Sequence, residues 1–284
     1  MVSRVVGLVG VGKMGSALLA RLTASGATVR AFDIAESAME AARKGGAETV
    51  TSSAEAARGA QIVHVFVHND DEVVDATLGE QGVLAGIGRG ATVILHSTIL
   101  PTTTKRVAVE AMPKGVHVVD ASVTSTPNYV RSGDAVFLVG GSDEAVAGIR
   151  PHLESLGRKV WHFGPLGSGN AAKLVKNLSN VMERVMWIET LTAVKAAGLD
   201  PRQYAEMLTS VVRGSAISDW QKIIAIENGE ITPTRAGGGI YRKDVPHALK
   251  FVRSLGLTLP LAEGTGAASA RFVAENKKAG EEGE

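Results

Sequence analysis

Two groups of residues in this 284-residue chain have the types and spacing to do chemistry. The first lies in the run GLVGVGKMG, where Gly10, Gly12 and Gly15 form G-x-G-x-x-G between a β-branched run and an alanine-rich segment. In that setting one glycine permits a tight turn, the next admits a pyrophosphate to the backbone, and the third lets the helix pack close on the strand. The phosphates then sit on the helix N-terminus. Asp33 ends the second β-branched run, 21 residues past Gly12. A carboxylate there accepts hydrogen bonds from the adenosine ribose hydroxyls and repels a 2′-phosphate. No Arg or Lys immediately follows it, so the pattern predicts NAD rather than NADP.

The second group is Asn170, Lys173, Asn177 and Asn180, at i, i+3, i+7 and i+10 on one face of a long helical pattern. Leu174, Val175, Leu178, Val181, Met182 and Val185 cover its other faces. A helix apolar on several faces is buried, and its polar stripe then needs partners that a ligand cleft supplies. Lys173 is the candidate general acid and base for an alcohol–carbonyl interconversion, with Asn177 one turn on, about 6 Å along the axis, orienting the same oxygen. That role requires a Lys pKa near 7 to 8, which burial provides. A solvated helix face is the alternative from spacing alone. Lys176, Lys195 and Lys222 read as solvated surface lysines.

The elements that must hold these groups alternate. Strand candidates are Val5 to Val9, Thr28 to Asp33, Ile62 to Val67, Ala91 to Leu95, Val116 to Ala121, Val136 to Val139 and Lys159 to Phe163, with a weaker one at Ala47 to Val50. Between them lie helical segments at Met14 to Ser25, Glu36 to Lys44, Glu72 to Thr77, Thr102 to Glu110 and Glu144 to Leu156. This order predicts a parallel sheet covered on both faces. A hinge-like run, Gly164, Pro165, Gly167, Ser168 and Gly169, separates it from a purely helical remainder that opens with the helix Asn170 to Ala197. The expected domains are 1–164 and 165–284, and Lys277 to Glu284 reads as a frayed tail.

Composition narrows the function classes. Lys plus Arg number 30 and Asp plus Glu 29, a formal charge of +1 that favours neither nucleic acid nor an anionic membrane. No run reaches the roughly 18 apolar residues of a membrane span. With no cysteine, thiolate sites and disulfides are excluded, and a cytoplasmic setting is expected. The seven histidines show no HxxxH or HxH spacing, so no metal site is expected and they read as ordinary strand and helix residues. Trp161, Trp187 and Trp220 read as core or interface, with Trp220 also placed to line a cleft.

Four ordered motifs resemble the β-hydroxyacid dehydrogenase family, which includes 3-hydroxyisobutyrate dehydrogenase and tartronate semialdehyde reductase. GLVGVGKMGSALLARL at 7 to 22 is similar to the family's cofactor motif, with Met14 before Gly15. HSTILPTTTKRVA at 96 to 108 is similar to its Ser-Thr-x-x-Pro segment. DASVTSTPNYVRSGD at 120 to 134 resembles the substrate motif, with Ser122 in place of Pro, Thr124 in place of Ser, and Ser125 and Thr126 in place of two Gly. GSGNAAKLVKN at 167 to 177 resembles the catalytic helix motif, and Lys243-Asp244-Val245 its later KDL-like segment.

The resemblance implies a doubly wound Rossmann sheet followed by an all-helical domain, joined by a long interdomain helix with a cleft between the domains. It implies hydride transfer between NAD(P) and a small carboxylate-bearing 3-hydroxy acid, in a homodimer or homotetramer. Lys173 takes the catalytic position and Asn177 the substrate-holding one. Gly10, Gly12, Lys13, Met14, Gly15, Asp33, Val67, His68, Thr98 and Lys243 fall on the cofactor side; Ser122, Thr124, Ser125 and Thr126 face the substrate carboxylate. The altered triplet leaves Arg131 and Arg213 as alternative carboxylate clamps and makes Gly237, Gly238 and Gly239 a flexible run before Lys243. An imine reductase-like enzyme and a non-catalytic NAD(H)-binding regulator or scaffold are the competing readings.

Overall fold

A computed structural model describes residues 5–196, 198–211, 240–254 and 260–281; the side chains of Arg213, Trp220 and Lys222 and the run Gly237 to Gly239 lie outside them. The chain divides into two compact units, Met1–Lys173 and Leu174–Glu284.

In the first unit the β-branched runs become β1 (Val5–Val9), β2 (Thr28–Phe32), β3 (Glu48–Thr49), β4 (Ile62–Val65), β5 (Thr92–Leu95), β6 (His117–Val123), β7 (Val136–Gly140) and β8 (Lys159–His162). They form one sheet in the order β3-β2-β1-β4-β5-β6-β7-β8. Order reverses between β1 and β4, which is where a doubly wound sheet opens a ligand crevice at the carboxyl ends of its strands. The helices are α1 (Lys13–Ala24), α2 (Glu36–Lys44), α3 (Ser53–Ala57), α4 (Asp70–Leu78), α5 (Val83–Gly86), α6 (Pro101–Ala111), α7 (Pro127–Ser132), α8 (Asp143–Leu156) and the start of α9 (Ser168–Ala196). The short α3, α5 and α7 carry too few turns to show a helical period in sequence.

Every strand of the central run is buried on both sides, as parallel strands beneath helices must be. Val6, Leu8, Ile62, Ile94, Val119 and Phe137 pack on one face with Leu18, Leu22, Ile149 and Leu153 of α1 and α8. Val63, Val65, Val93 and Leu95 pack on the other with Ala56, Val73 and Val107 of α3, α4 and α6. One pairing departs from the expected parallel sheet: β7 runs antiparallel to β6, Asp120 facing Gly140 and Val123 facing Phe137. Between Val123 and Val136 the chain has room only for six-residue α7, too little for a crossover that returns to the other end of the sheet. The expected strand at Ala47 to Val50 is the two-residue β3 at the sheet edge.

In the second unit α9 continues to Ala196, followed by α10 (Pro201–Val211), a π-helical turn at Ile240–Asp244, α11 (Val245–Ser254) and α12 (Pro260–Glu281). Leu178, Val181 and Val185 of α9 pack with Tyr241, Val245, Leu249 and Ala262. Trp187 and Leu191 pack with Ala205 and Leu208. The expected tail at Lys277 is corrected, because α12 runs on to Glu281. Among the described residues no helix is long and apolar enough to cross a membrane.

Three histidines depart from the ordinary reading. His64 on β4, His96 after β5 and His152 on α8 form a row, with His64 Nδ1 2.7 Å from His96 Nε2 and His64 Nε2 2.9 Å from His152 Nε2. His96 Nδ1 lies 2.7 Å from the Ala121 carbonyl oxygen. Burial is the largest influence on His96 and pushes it down to about 4. Its folded pKa lies below the unfolded value of about 6.5, so the native state binds fewer protons between these values. Its contribution is therefore complete above about pH 6.5 and lost as pH falls toward 4, a span worth about 3 kcal/mol. Urea denaturation at a series of pH values from 7 to 4 should show this loss, with a shallower slope in His96→Met; equal slopes would refute it.

Candidate active site

The cofactor candidates gather at the carboxyl ends of the strands. After β1 the chain turns at Gly10, whose φ of +88° suits glycine, and its N–H donates to the Phe32 carbonyl on β2 at 2.9 Å. A Cβ on Gly15 would collide with the Gly10 carbonyl oxygen, so the first turn of α1 lies directly on the loop. Gly12 caps α1 with no side-chain hydrogen bond, and a Cβ there would meet nothing within 4 Å. The first turn of α1 holds no acidic residue, leaving its N–H groups and the positive end of the helix dipole open to an anion. These features fit a dinucleotide pyrophosphate. Lys13 is exposed beside the cap and Met14 half-buried.

Asp33, just past β2, is half-buried and holds the loop itself: Val11 N–H donates to Oδ2 at 2.6 Å and Ala35 N–H to Oδ1 at 2.9 Å. Across the crevice Val67 is fixed by Ser97, whose hydroxyl donates to the Val67 carbonyl at 2.7 Å and accepts its N–H at 3.0 Å. Thr98 follows, half-buried. His68 is exposed, and its N–H donates to the Glu72 carboxylate of α4 at 2.9 Å.

The polar stripe is positioned from beneath by the aspartate that opens the DASVTSTPNYVRSGD motif. Asp120 on β6 accepts the N–H of Gly167 on Oδ1 and that of Asn170 on Oδ2, both at 2.7 Å, and Gly169 N–H also bonds it. Burial raises the Asp120 carboxyl above its usual range, while these N–H groups pull it back. The glycine run is therefore no loose hinge: a Cβ on Gly169 would collide with the Leu138 carbonyl, so the motif lets the start of α9 settle onto the sheet. Asn170, fully buried, accepts the Thr104 hydroxyl on Oδ1 at 2.6 Å and donates from Nδ2 to Ser122 Oγ at 3.3 Å and toward the Ser97 carbonyl at 3.5 Å. Lys173, one turn on, is half-buried.

In the second unit Asn177 is buried and its Nδ2 donates to Asp244 Oδ2 at 2.9 Å. Lys243 is half-buried in the π-helical turn, and its carbonyl accepts His247 Nδ1 at 2.9 Å. Asn180 and Lys176 are exposed, so the buried stripe ends at Asn177.

The substrate-motif residues divide in two. Ser122 is fully buried in the Asn170 network. Ser125 Oγ accepts the Val136 N–H at 3.2 Å, and Thr124 N–H donates to the Val136 carbonyl at 3.0 Å, tying the loop after β6 to β7. Thr126 is exposed, as is Arg131 on α7. Trp161 is half-exposed on edge strand β8 with Lys159 Nζ 4.8 Å above its ring, and Trp187 is buried.

Residues 5–164 match the NAD-binding domain of 6-phosphogluconate dehydrogenase. Residues 167–283 match the NAD-binding domain of NADP-dependent 3-hydroxyisobutyrate dehydrogenase. The chain belongs to the β-hydroxyacid dehydrogenase family. It is 32% identical over 215 residues to 3-hydroxyisobutyrate dehydrogenase of Pseudomonas aeruginosa, covering 76% of this chain and 71% of that one. It is 27% identical over 277 residues to 3-sulfolactaldehyde reductase of Escherichia coli, covering 97% and 91%. The fold matches that of Mycobacterium tuberculosis 3-hydroxyisobutyrate dehydrogenase solved with L-serine, with a TM-score of 0.84 at 24% identity over 96% of this chain and 94% of that one. This chain is an NAD(P)-binding oxidoreductase acting on CH–OH groups of small hydroxy acids.

Removing the buried acceptor beneath α9 should be costly. Asp120→Ala is expected to lose roughly 2–4 kcal/mol of stability in urea denaturation, since several helix N–H groups are left without a partner. A change below about 0.5 kcal/mol would show that α9 is held by packing alone.

Proposed function

We propose that this protein interconverts a small 3-hydroxy acid and its semialdehyde or keto form with NAD, using Lys173 as general acid and base. The observation that carries this reading is Lys173 at half-buried depth, one turn beyond an Asn170 bonded to α6 and β6 and one turn before the buried Asn177. When bound, the nicotinamide supplies the hydride acceptor for oxidation or the donor for reduction. Lys173 takes the hydroxyl proton in the oxidative direction and returns it in the reductive one. Asn177, its amide oriented by Asp244, holds the reacting oxygen.

Asp33 supports NAD over NADP, because its carboxylate is fixed beside the glycine loop where a 2′-phosphate would meet like charge. The relatives that act on L-serine, 3-hydroxyisobutyrate and sulfolactaldehyde favour a short acid bearing a terminal hydroxymethyl or aldehyde group. Thr124 and Thr126, with Ser122 and Ser125 behind them, are the residues assigned to its acid end. Lys13, Met14, Val67, His68, Thr98 and Lys243 are assigned to the cofactor. A cytoplasmic homodimer or homotetramer is the setting implied by composition and family resemblance.

Nicotinamide absorbance with a panel of short 3-hydroxy acids tests the role of Lys173. Lys173→Ala should lower kcat by roughly 100- to 10,000-fold with NAD affinity held within a few-fold; activity surviving in the variant removes Lys173 from the chemistry. Asp33→Asn should cut the ratio of NAD to NADP kcat/KM by roughly tenfold, and an unchanged ratio would place cofactor selection elsewhere.

A further inference from the structure

With all three imidazoles neutral, the row of histidines allows one arrangement of protons. The Ala121 carbonyl can only accept, so His96 Nδ1 carries a hydrogen and donates to it. Neutral His96 then accepts at Nε2, which makes His64 Nδ1 the donor across the 2.7 Å contact. Neutral His64 accepts at Nε2 in turn, so His152 Nε2–H donates across the 2.9 Å contact. His64 and His96 are buried, and the half-buried His152 on α8 is the outer end. The rings of Phe66 and Phe137 lie 5.3 and 5.8 Å from His96, an apolar wall about its imidazole.

The inner end of the row meets the cofactor side of the sheet twice. His96 is joined by one peptide bond to Ser97, which grips both backbone groups of Val67. Phe66, whose ring lies tilted 5.3 Å from that of His96, is the residue before Val67. We infer that the His152–His64–His96 chain positions the Ser97–Thr98 segment and Val67 for the cofactor. This rests on the assignment of Val67 and Thr98 to the cofactor side. Removing the outer donor takes away the bond that fixes the His64 ring, and the disturbance passes through His96 to Ser97.

The charged and titratable groups on the surrounding elements are few. On α1, Arg21 donates to the Ser155 carbonyl of α8, within a turn of His152. On α8, Arg150 pairs with Glu154 at 3.6 Å. On β6, Asp120 points to the opposite face of the sheet, and exposed His117 lies at the far end of the strand.

The test compares the native chain with His152→Leu, which removes the outer donor, and His152→Gln, whose amide N–H restores it. Two readouts are taken at pH 7.5: hydrogen exchange of the Val67 amide without cofactor, and the Kd for NAD by calorimetry. At pH 7.5 His152→Leu should exchange Val67 roughly 2- to 30-fold faster and bind NAD more weakly by a similar factor, with His152→Gln within about twofold of native. Unchanged Val67 exchange in His152→Leu, or His152→Gln as impaired as His152→Leu, overturns the inference. If exchange follows the pattern while the Kd stays fixed, what fails is the cofactor assignment of Val67 and Thr98, and the positioning of Val67 stands.

Discussion

The architecture of the candidate site depends on one buried carboxylate meeting one helix start. Asp120 sits in the middle of β6 and gathers the N–H groups of Gly167, Gly169 and Asn170. Burying a charge costs several kcal/mol unless donors surround it, and the first turn of a helix offers both unpaired N–H groups and a favourable dipole. The reverse also holds, since those N–H groups would otherwise be orphans beneath the sheet. Each side thus makes the burial of the other tolerable, and the direction in which α9 leaves β6 is fixed at its root. Asn170 then extends the same hold sideways to Thr104, Ser97 and Ser122. A lysine one turn further along inherits that fixed origin.

The cofactor crevice follows a similar economy of parts. Asp33, the residue proposed to disfavour a 2′-phosphate, also shapes the glycine loop, because its two oxygens each accept a backbone N–H. A carboxylate oxygen has a second acceptor direction, so the ribose hydroxyls and the loop do not compete for the same lone pairs. The proposed cofactor preference is consequently coupled to loop geometry. A substitution that removes the charge but keeps an acceptor acts on preference, whereas one that removes the acceptor also loosens the turn at Val11.

What was legible in the sequence was local. The glycine spacing, the acid at the end of β2 and the helical stripe from Asn170 to Asn177 each lie within one or two elements, where spacing alone fixes which residues share a loop or a face. The antiparallel β7 was not legible, because strand direction depends on whether the intervening chain can span the sheet and not on any pattern within the strand. Nor were Thr104 with Asn170, or His64 with His96 and His152, since 32 to 88 residues separate these partners in the chain. The absence of HxxxH spacing is silent about a row of imidazoles assembled from β4, the turn after β5 and α8.

The altered substrate motif is explained by the same accounting of acceptors and donors. Proline at position 122 could offer no hydroxyl to the Asn170 side-chain amide, and Ser122 does. Glycine at position 125 could not accept the Val136 N–H through a side chain, and Ser125 does. Two of the hydroxyls that distinguish this chain from the family pattern are therefore taken up as acceptors within the sheet and the α9 root, stiffening the backbone that glycine would have left free. Thr126 is the exposed one. A chain that replaces flexible glycine with side chains tied to its own backbone gives up adaptability in that loop, and in the proposed function a substrate has to suit the loop's fixed shape, with Thr124 and Thr126 left to discriminate.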